Sequence, residues 1–236
     1  NTSYLNGNKW VFDQNGLNCI TCDIKTPSPA IPPNIDDSTP TTPVVQSTPT
    51  WEEIDLEPAI YDFENFKAIT ISSHLYVTIE QADQYYVALK KRPEDEDLQF
   101  KMVANKLIVK ATADRDWWDE DQVTETSHYL LIRTPDVESI TLNGAIFGEI
   151  NGFESENLEL ILTGATSIAA NVKVKFLEAY LTGASRLQLT GDAQKFKTKL
   201  VGACNLDASS FNTKTTYAHV AGASTAHIYA EDFLDI

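Results

Sequence analysis

The dipeptide Gly-Ala returns five times in the C-terminal half of the chain, at Gly144-Ala145, Gly164-Ala165, Gly183-Ala184, Gly202-Ala203 and Gly222-Ala223. The intervals are 20, 19, 19 and 20 residues. Two positions ahead of each glycine stands an aliphatic side chain: Leu142, Leu162, Leu181, Leu200 and Val220. Four positions ahead stand Ile140, Leu160, Ala179, Thr198 and Ala218, and six positions after stand Ile150, Ala170, Leu189, Ala208 and Ile228. Side chains two apart on a strand share a face. A period of about 20 residues held this closely is the mark of a stacked repeat. The pattern predicts an all-β fold, a parallel β-helix (solenoid) with 19–20 residues per coil in the C-terminal half and less regular strands in the first half. Aliphatic ladders lie inside it, and Gly-Ala sits at one corner. A meander of antiparallel hairpins is the competing arrangement, but hairpins rarely keep so constant a period.

One coil cannot bury its apolar face, whereas stacked coils can. At the corner the backbone turns tightly, with the next coil about 4.8 Å away. Gly and Ala are the residues that fit there, so Gly144, Gly164, Gly183, Gly202 and Gly222 are read as structural turns.

The remaining chemistry is set by charge. The net charge is −16, with an isoelectric point near 4.5. Binding nucleic acid or an anionic membrane needs cationic surface, so neither is an expected partner. An acidic surface suits solubility, cationic partners or divalent ions. No apolar run is long enough to span a bilayer, so direct membrane insertion is not expected. A chain that opens on Asn1 rather than Met has either lost a leader or is given from an internal starting point.

Residues 1–25 form a short N-terminal segment. Asn6-Gly7 and Asn15-Gly16 are turn dipeptides flanking Lys9-Trp-Val-Phe12, which predicts a hairpin too small to stand alone. Cys19 and Cys22 are a disulfide candidate; free thiols and a metal or redox pair are the other readings of Cys-x-x-Cys. Zinc would require two further ligands, and no second cysteine or histidine pair lies nearby. Residues 26–58 are a Pro/Thr-rich linker holding eight of the ten prolines, an extended and semi-rigid composition. The β-helix domain occupies 59–236, with the regular Gly-Ala coils at 137–236. Its first half reads as strands at 66–71, 75–79, 85–89, 100–103, 106–110 and 128–133.

The order of those segments carries a resemblance. Phe63-Glu-Asn-Phe66-Lys-Ala-Ile69-Thr-Ile71 is followed by Val77-Thr-Ile79-Glu-Gln81, Tyr85-Tyr-Val87-Ala-Leu89 and Asn105-Lys-Leu107-Ile-Val109. Arg133-Thr-Pro135 and the Leu-x-Gly-Ala repeats complete the series. Over residues 60–236 the chain resembles the "head GIN" domain family of autotransporter-type adhesins. No clean Gly-Ile-Asn is present; the nearest is Gly148-Glu-Ile-Asn151, so the motif in the family's name carries nothing here. The resemblance implies a secreted or outer-surface β-helix of a Gram-negative bacterium, in many cases from the Bacteroidetes. It brings no catalytic residues.

The most unusual surface segment is Asp114-Arg-Asp-Trp-Trp-Asp-Glu-Asp121. Adjacent tryptophans cannot both point into one face of a strand. Trp117 and Trp118, with Asp116, Asp119 and Asp121, are the ligand-binding candidates: exposed aromatics stack on sugar rings or anchor a protein partner. The three aspartates could offer oxygens to calcium, but the spacing is not that of an EF-hand. No cofactor and no other metal site is expected. A solvated loop with Trp packed on the body is the plain alternative.

Stacking the repeats tests for catalysis. Asp207 falls beside His227 and Glu178 beside Lys197, but no row places two carboxylates beside a base as glycoside hydrolysis requires. No Ser-His-Asp arrangement can be drawn. Cys204 stands two after Gly202, where other coils have Ile146, Thr166, Ser185 and Ser224, and reads as a small buried corner residue. Phe233-Leu-Asp-Ile236 echoes Phe176-Leu-Glu-Ala179, so the chain stops while entering another coil. An open solenoid end exposes unpaired strand edges. The native chain continues, this piece is the cap, or the end pairs with a second copy in a weak homodimer.

The leading reading is a non-enzymatic surface module for adhesion, its partner a glycan or protein at a cell surface. A carbohydrate-active β-helix (polysaccharide lyase or hydrolase) and a purely structural envelope component are the alternatives.

Overall fold

Apolar and polar side chains alternate through most of the second half, and alternation over so many residues writes strands with one face in the core. The computed structural model describes residues 2–3, 9–13, 16–21, 51–93, 95, 98–111 and 128–236, the first three stretches as backbone only. The N-terminal strands are β1 (Thr2–Ser3), β2 (Lys9–Asp13) and β3 (Gly16–Thr21). A short 3-10 turn at Trp51–Glu53 leads into β4 (Ala59–Tyr61), β5 (Ala68–Gln81) and β6 (Tyr86–Lys90). Next come β7 (Leu98–Val103), β8 (Lys106–Ala111) and β9 (Tyr129–Thr134). The repeats are β10 (Ser139–Gly164), β11 (Ser167–Gly183), β12 (Arg186–Gly202) and β13 (Asn205–Gly222). The last strands are β14 (Thr225–Tyr229) and β15 (Phe233–Asp235). Among the described residues there is no α-helix.

The central run is β9, β5, β10, β11, β12, β13 and β14, with every neighbour parallel. Register follows the repeat. Gly164 pairs with Gly183, Gly183 with Gly202, and Gly202 with Gly222. The columns drawn from sequence are columns in space: Ile140, Leu160, Ala179, Thr198 and Ala218 are all buried, as are Leu142, Leu162, Leu181 and Leu200. Ile150, Ala170, Leu189, Ala208 and Ile228 form a third buried set. Phe153, Phe196 and Phe211 are fully buried in the core, with Phe196 and Phe211 edge to face at 5.6 Å.

The corner is built from a glycine and a hydroxyl. Gly202 has φ +116°, and a Cβ there would lie 2.5 Å from the Gly183 carbonyl oxygen. Two residues beyond each of the last four corner glycines, a small polar side chain turns inward. Thr166 donates to Thr163 O (3.0 Å), Ser185 to Thr182 O (2.8 Å) and Ser224 to Ala221 O (3.1 Å). Ser224 also donates to Gly202 O, in the preceding repeat, at 3.0 Å. Cys204 takes the same place, its sulfur 3.6 Å from both Gly183 O and Val201 O. These side chains add a second contact at the corner, where Gly144 O, Gly164 O and Gly183 O already accept from the Ala165, Ala184 and Ala203 amides.

The first half differs from the sequence reading in two respects, one being the added strand β4, which pairs antiparallel with β6. The stretches at 66–71 and 75–79 are not separate strands but parts of β5, which runs unbroken through Ser72-Ser73-His74. Ser73 pairs with Gly144 and His74 with Ala145, so the polar break is the same corner, one repeat earlier and without glycine. β8 and β9 both pair parallel to β5, one on each side of that corner. Antiparallel β7 and β6 then extend β8 and β9.

The C-terminal echo of Phe176 is real in register. Phe233 pairs with Thr215, which stands in the same column as Lys195 and Phe176. The edge beyond it is occupied: β2 pairs antiparallel with β14, Trp10 opposite Ile228, and β1 pairs with β15. β2 and β3 are the expected hairpin, with Cys19 opposite Trp10; Cys22 lies outside the described residues.

Candidate functional site

The expected loop residues Asp116, Trp117, Trp118, Asp119 and Asp121 lie outside the described residues. The pairs read from stacking are cross-strand neighbours: Asp207 with His227, and Glu178 with Lys197. Asp207 accepts a hydrogen bond from the Ser209 amide at 3.1 Å, a local turn contact. Among the described residues no cluster of three or more metal-ligating acids, histidines or cysteines occurs.

The more informative surface lies on the outer side of β11–β13. In β12 Phe196, Thr198 and Leu200 point inward, so Lys195, Lys197 and Lys199 point outward in one line. The parallel register fixes their neighbours. Lys195 lies between Phe176 and Thr215, Lys197 between Glu178 and Tyr217, and Lys199 between Tyr180 and His219. Phe176 is 46% exposed, Val201 40% and Tyr217 37%, against full burial of the inward phenylalanines. Lys195 Nζ stands 4.9 Å from the Tyr217 ring centre, and Tyr217 packs on Phe233 at 5.6 Å. Lys197 Nζ lies 3.4 Å from Glu178 and 5.9 Å from the Tyr180 ring centre. The Tyr180 hydroxyl donates to Glu178. That hydrogen bond, aided by Lys197 and Lys195, holds the Glu178 carboxyl below its usual range although partial burial works the other way. The same contact raises the Tyr180 hydroxyl, and Tyr180 and Glu178 raise Lys197.

This surface was only half visible in the sequence. The rows three and five before each glycine contained Tyr180, Lys199, His219, Glu178, Lys197 and Tyr217. The row seven before, which adds Phe176 and Lys195, completes the patch.

A second feature sits at the other end of the sheet. Trp51 and Glu52 overhang Tyr76, Tyr129, Glu80 and Glu149 to form a cleft of about 180 Å3. Its rings step along the parallel strands, Tyr76 stacked on Tyr129 at 5.2 Å and tilted to Phe147 at 5.8 Å. Lys90 anchors the overhang: its ammonium donates to Trp51 O and Ile54 O, each at 2.9 Å, and lies 4.5 Å from the Trp51 ring centre. Arg133 pairs with Glu80 at 2.6 Å on the cleft's flank.

The family profile described as "Putative auto-transporter adhesin, head GIN domain" matches residues 65–236. The chain belongs to this family. Solved structures share the fold of this head GIN domain. One, described as a "putative adhesin" from Bacteroides fragilis NCTC 9343, has a TM-score of 0.63 at 17% identity, covering 72% of this chain and 78% of that one. Another, also described as a "putative adhesin", from Parabacteroides merdae ATCC 43184, has a TM-score of 0.52 at 11% identity, covering 72% and 79%. At these identities the likeness is one of fold. No curated protein matches the chain. Within the head GIN domain the β11–β13 face stands on the regular repeats, which hold its side chains in fixed register, whereas Trp51 and Glu52 of the cleft precede the matched residues.

Proposed function

We propose that this head GIN domain is a non-catalytic, extracytoplasmic adhesion module that binds a surface glycan or protein through the outer face of β11–β13. The observation that carries this reading is the grouping of exposed Phe176 and Tyr217 around Lys195, Lys197 and Lys199. Large apolar side chains exposed together on a rigid sheet mark an interaction surface rather than ordinary solvation. The family's description as an adhesin supports the same reading, as do its structural neighbours. Among the described residues no helix is long and apolar enough to cross a membrane.

The fold proposed with this function is a parallel β-helix. A parallel strand pair needs a return path between its strands. Here the end of β10 at Gly164 and the start of β11 at Ser167 are separated by two residues, yet β11 starts against Phe147. The return is therefore made by the strands themselves, bending at their corners. A solenoid provides that path and repeats the outward columns at a fixed spacing, a suitable scaffold for an extended ligand.

The test is a panel of host, plant and bacterial polysaccharides and of intact cells. Retention and release of soluble sugar are read together. Retention without release, reduced by Phe176→Ser with Tyr217→Ser, is expected. Release of oligosaccharide would replace this reading with a carbohydrate-active enzyme, and retention of neither kind would leave a structural envelope role.

A further inference from the structure

We infer that the Lys195–Lys197–Lys199 row is a binding site for an acidic polysaccharide, one bearing uronate or sulfate groups along an extended chain. The inference rests on the adhesion reading and names its ligand class. Three cations spaced two residues apart on a strand stand in line, successive ones about 7 Å apart and the outer two about 13 Å. Their cross-strand neighbours include one acid, Glu178, against Phe176, Tyr180, Tyr217, Thr215 and His219. Glu159 and Asp235 lie one strand further out on either side, in the column of Glu178, Lys197 and Tyr217.

Lys197 is paired with Glu178 at 3.4 Å, so the positive charge of the row rests mainly on Lys195 and Lys199, on a chain of net charge −16. Ordinary solvation does not call for exposed rings beside it: Lys195 lies over Tyr217, and Phe176 is 46% exposed next to Lys195. A sugar ring offers apolar C–H faces for such aromatics, and its carboxylate or sulfate offers the countercharge. One linear chain therefore satisfies both halves of the patch.

The shape of the patch selects among polyanions. A planar anionic membrane would bring the whole acidic surface against a like-charged plane, which is repulsive. A single extended chain can lie along β12 and touch only the row. Single-stranded nucleic acid is also linear, but its binding sites rely on grooves that carry many more cations than three.

The experiment uses the full chain on immobilised polygalacturonate and heparin, with dextran as the neutral control. Phosphatidylglycerol vesicles and an oligothymidylate are the competing polyanions. The expected result is retention on one or both acidic polysaccharides, weakened by salt and absent on dextran. Exposed ion pairs are individually weak, so Lys195→Ala with Lys199→Ala lowers retention by about tenfold. The unfolding midpoint falls only slightly, because both side chains are exposed and Lys195 gives up little more than its contact with the Tyr217 ring. Lys195→Arg with Lys199→Arg keeps most of the binding. No retention on either acidic polysaccharide overturns the inference, as does retention indifferent to these lysines. Lysine-dependent capture of the vesicles or the oligonucleotide in preference to the polysaccharides overturns it as well. Binding to dextran or to cells that ignores the lysines overturns this inference alone and leaves the adhesion module standing.

Discussion

Gly202 lies directly against Gly183 of the neighbouring strand, and a Cβ on Gly202 would stand 2.5 Å from the Gly183 carbonyl oxygen. Its φ of +116° is also one that L side chains avoid. Gly202→Ala therefore meets backbone strain and a clash together, a loss of about 2–4 kcal/mol. Gly152 separates the two effects: its φ is +79°, but nothing lies within 4 Å of its Cβ position. Gly152→Ala should cost only the conformational part, about 1 kcal/mol. Urea denaturation of both variants measures the difference, and equal losses would refute the corner account.

Cys204 substitutes for a hydroxyl in the corner ladder formed by Thr166, Ser185 and Ser224. Cys204→Ser restores the donor to Val201 O and Gly183 O and is expected within about 1 kcal/mol of the parent. Cys204→Val removes the donor while Gly183 O keeps its bond from the Ala203 amide, costing about 0.5–1.5 kcal/mol. The buried thiol reacts with an aromatic disulfide reagent only as fast as the protein opens. Immediate labelling of Cys204 itself, distinguished from Cys19 and Cys22 by peptide mapping, would contradict its placement.

β2 occupies the edge of β14, and β1 the edge of β15. Deleting residues 1–25 uncovers both edges, and exposed edges recruit further strands. Sedimentation velocity should then show concentration-dependent association that the full chain lacks. A synthetic peptide of residues 1–25 should reverse it. A truncated chain that stays monomeric at high concentration would show the strands to be dispensable as a cap.

Glu178 titrates below its usual range because the Tyr180 hydroxyl donates to it, with Lys197 and Lys195 adding attraction. A carboxyl whose folded pKa is depressed adds stability above its unfolded pKa and loses it as pH falls through the folded value. Glu178→Gln should therefore have a lower unfolding midpoint than the parent at neutral pH. The gap closes in acid, below the ordinary carboxylate range. A gap that persists or widens in acid would mean that Glu178 acts through packing instead.

The spacing of Gly144, Gly164, Gly183, Gly202 and Gly222 was enough to read which residues face inward and which strands are neighbours. A strand alternates with period two, so once the corner repeats at a fixed interval every column between corners is determined. The corner at Ser73 is not legible in the sequence because it has no glycine; only its pairing with Gly144 reveals it. The Lys195–Lys199 face was legible in pieces. Alternation places these side chains outward, but the energetic meaning of Tyr217 beside Lys195 depends on exposure, which alternation alone does not give.

Two features were decided by tertiary structure alone. The N-terminal hairpin shares no repeat with the body, and its pairing with β14 joins residues more than 200 positions apart through an edge that any strand could use. Trp51 docks because Lys90, distant in sequence, reaches two of that segment's carbonyls. Local pattern settled what recurs, because repetition makes neighbours predictable. Contacts made once, between segments with no shared period, were set only when the folded chain brought them together.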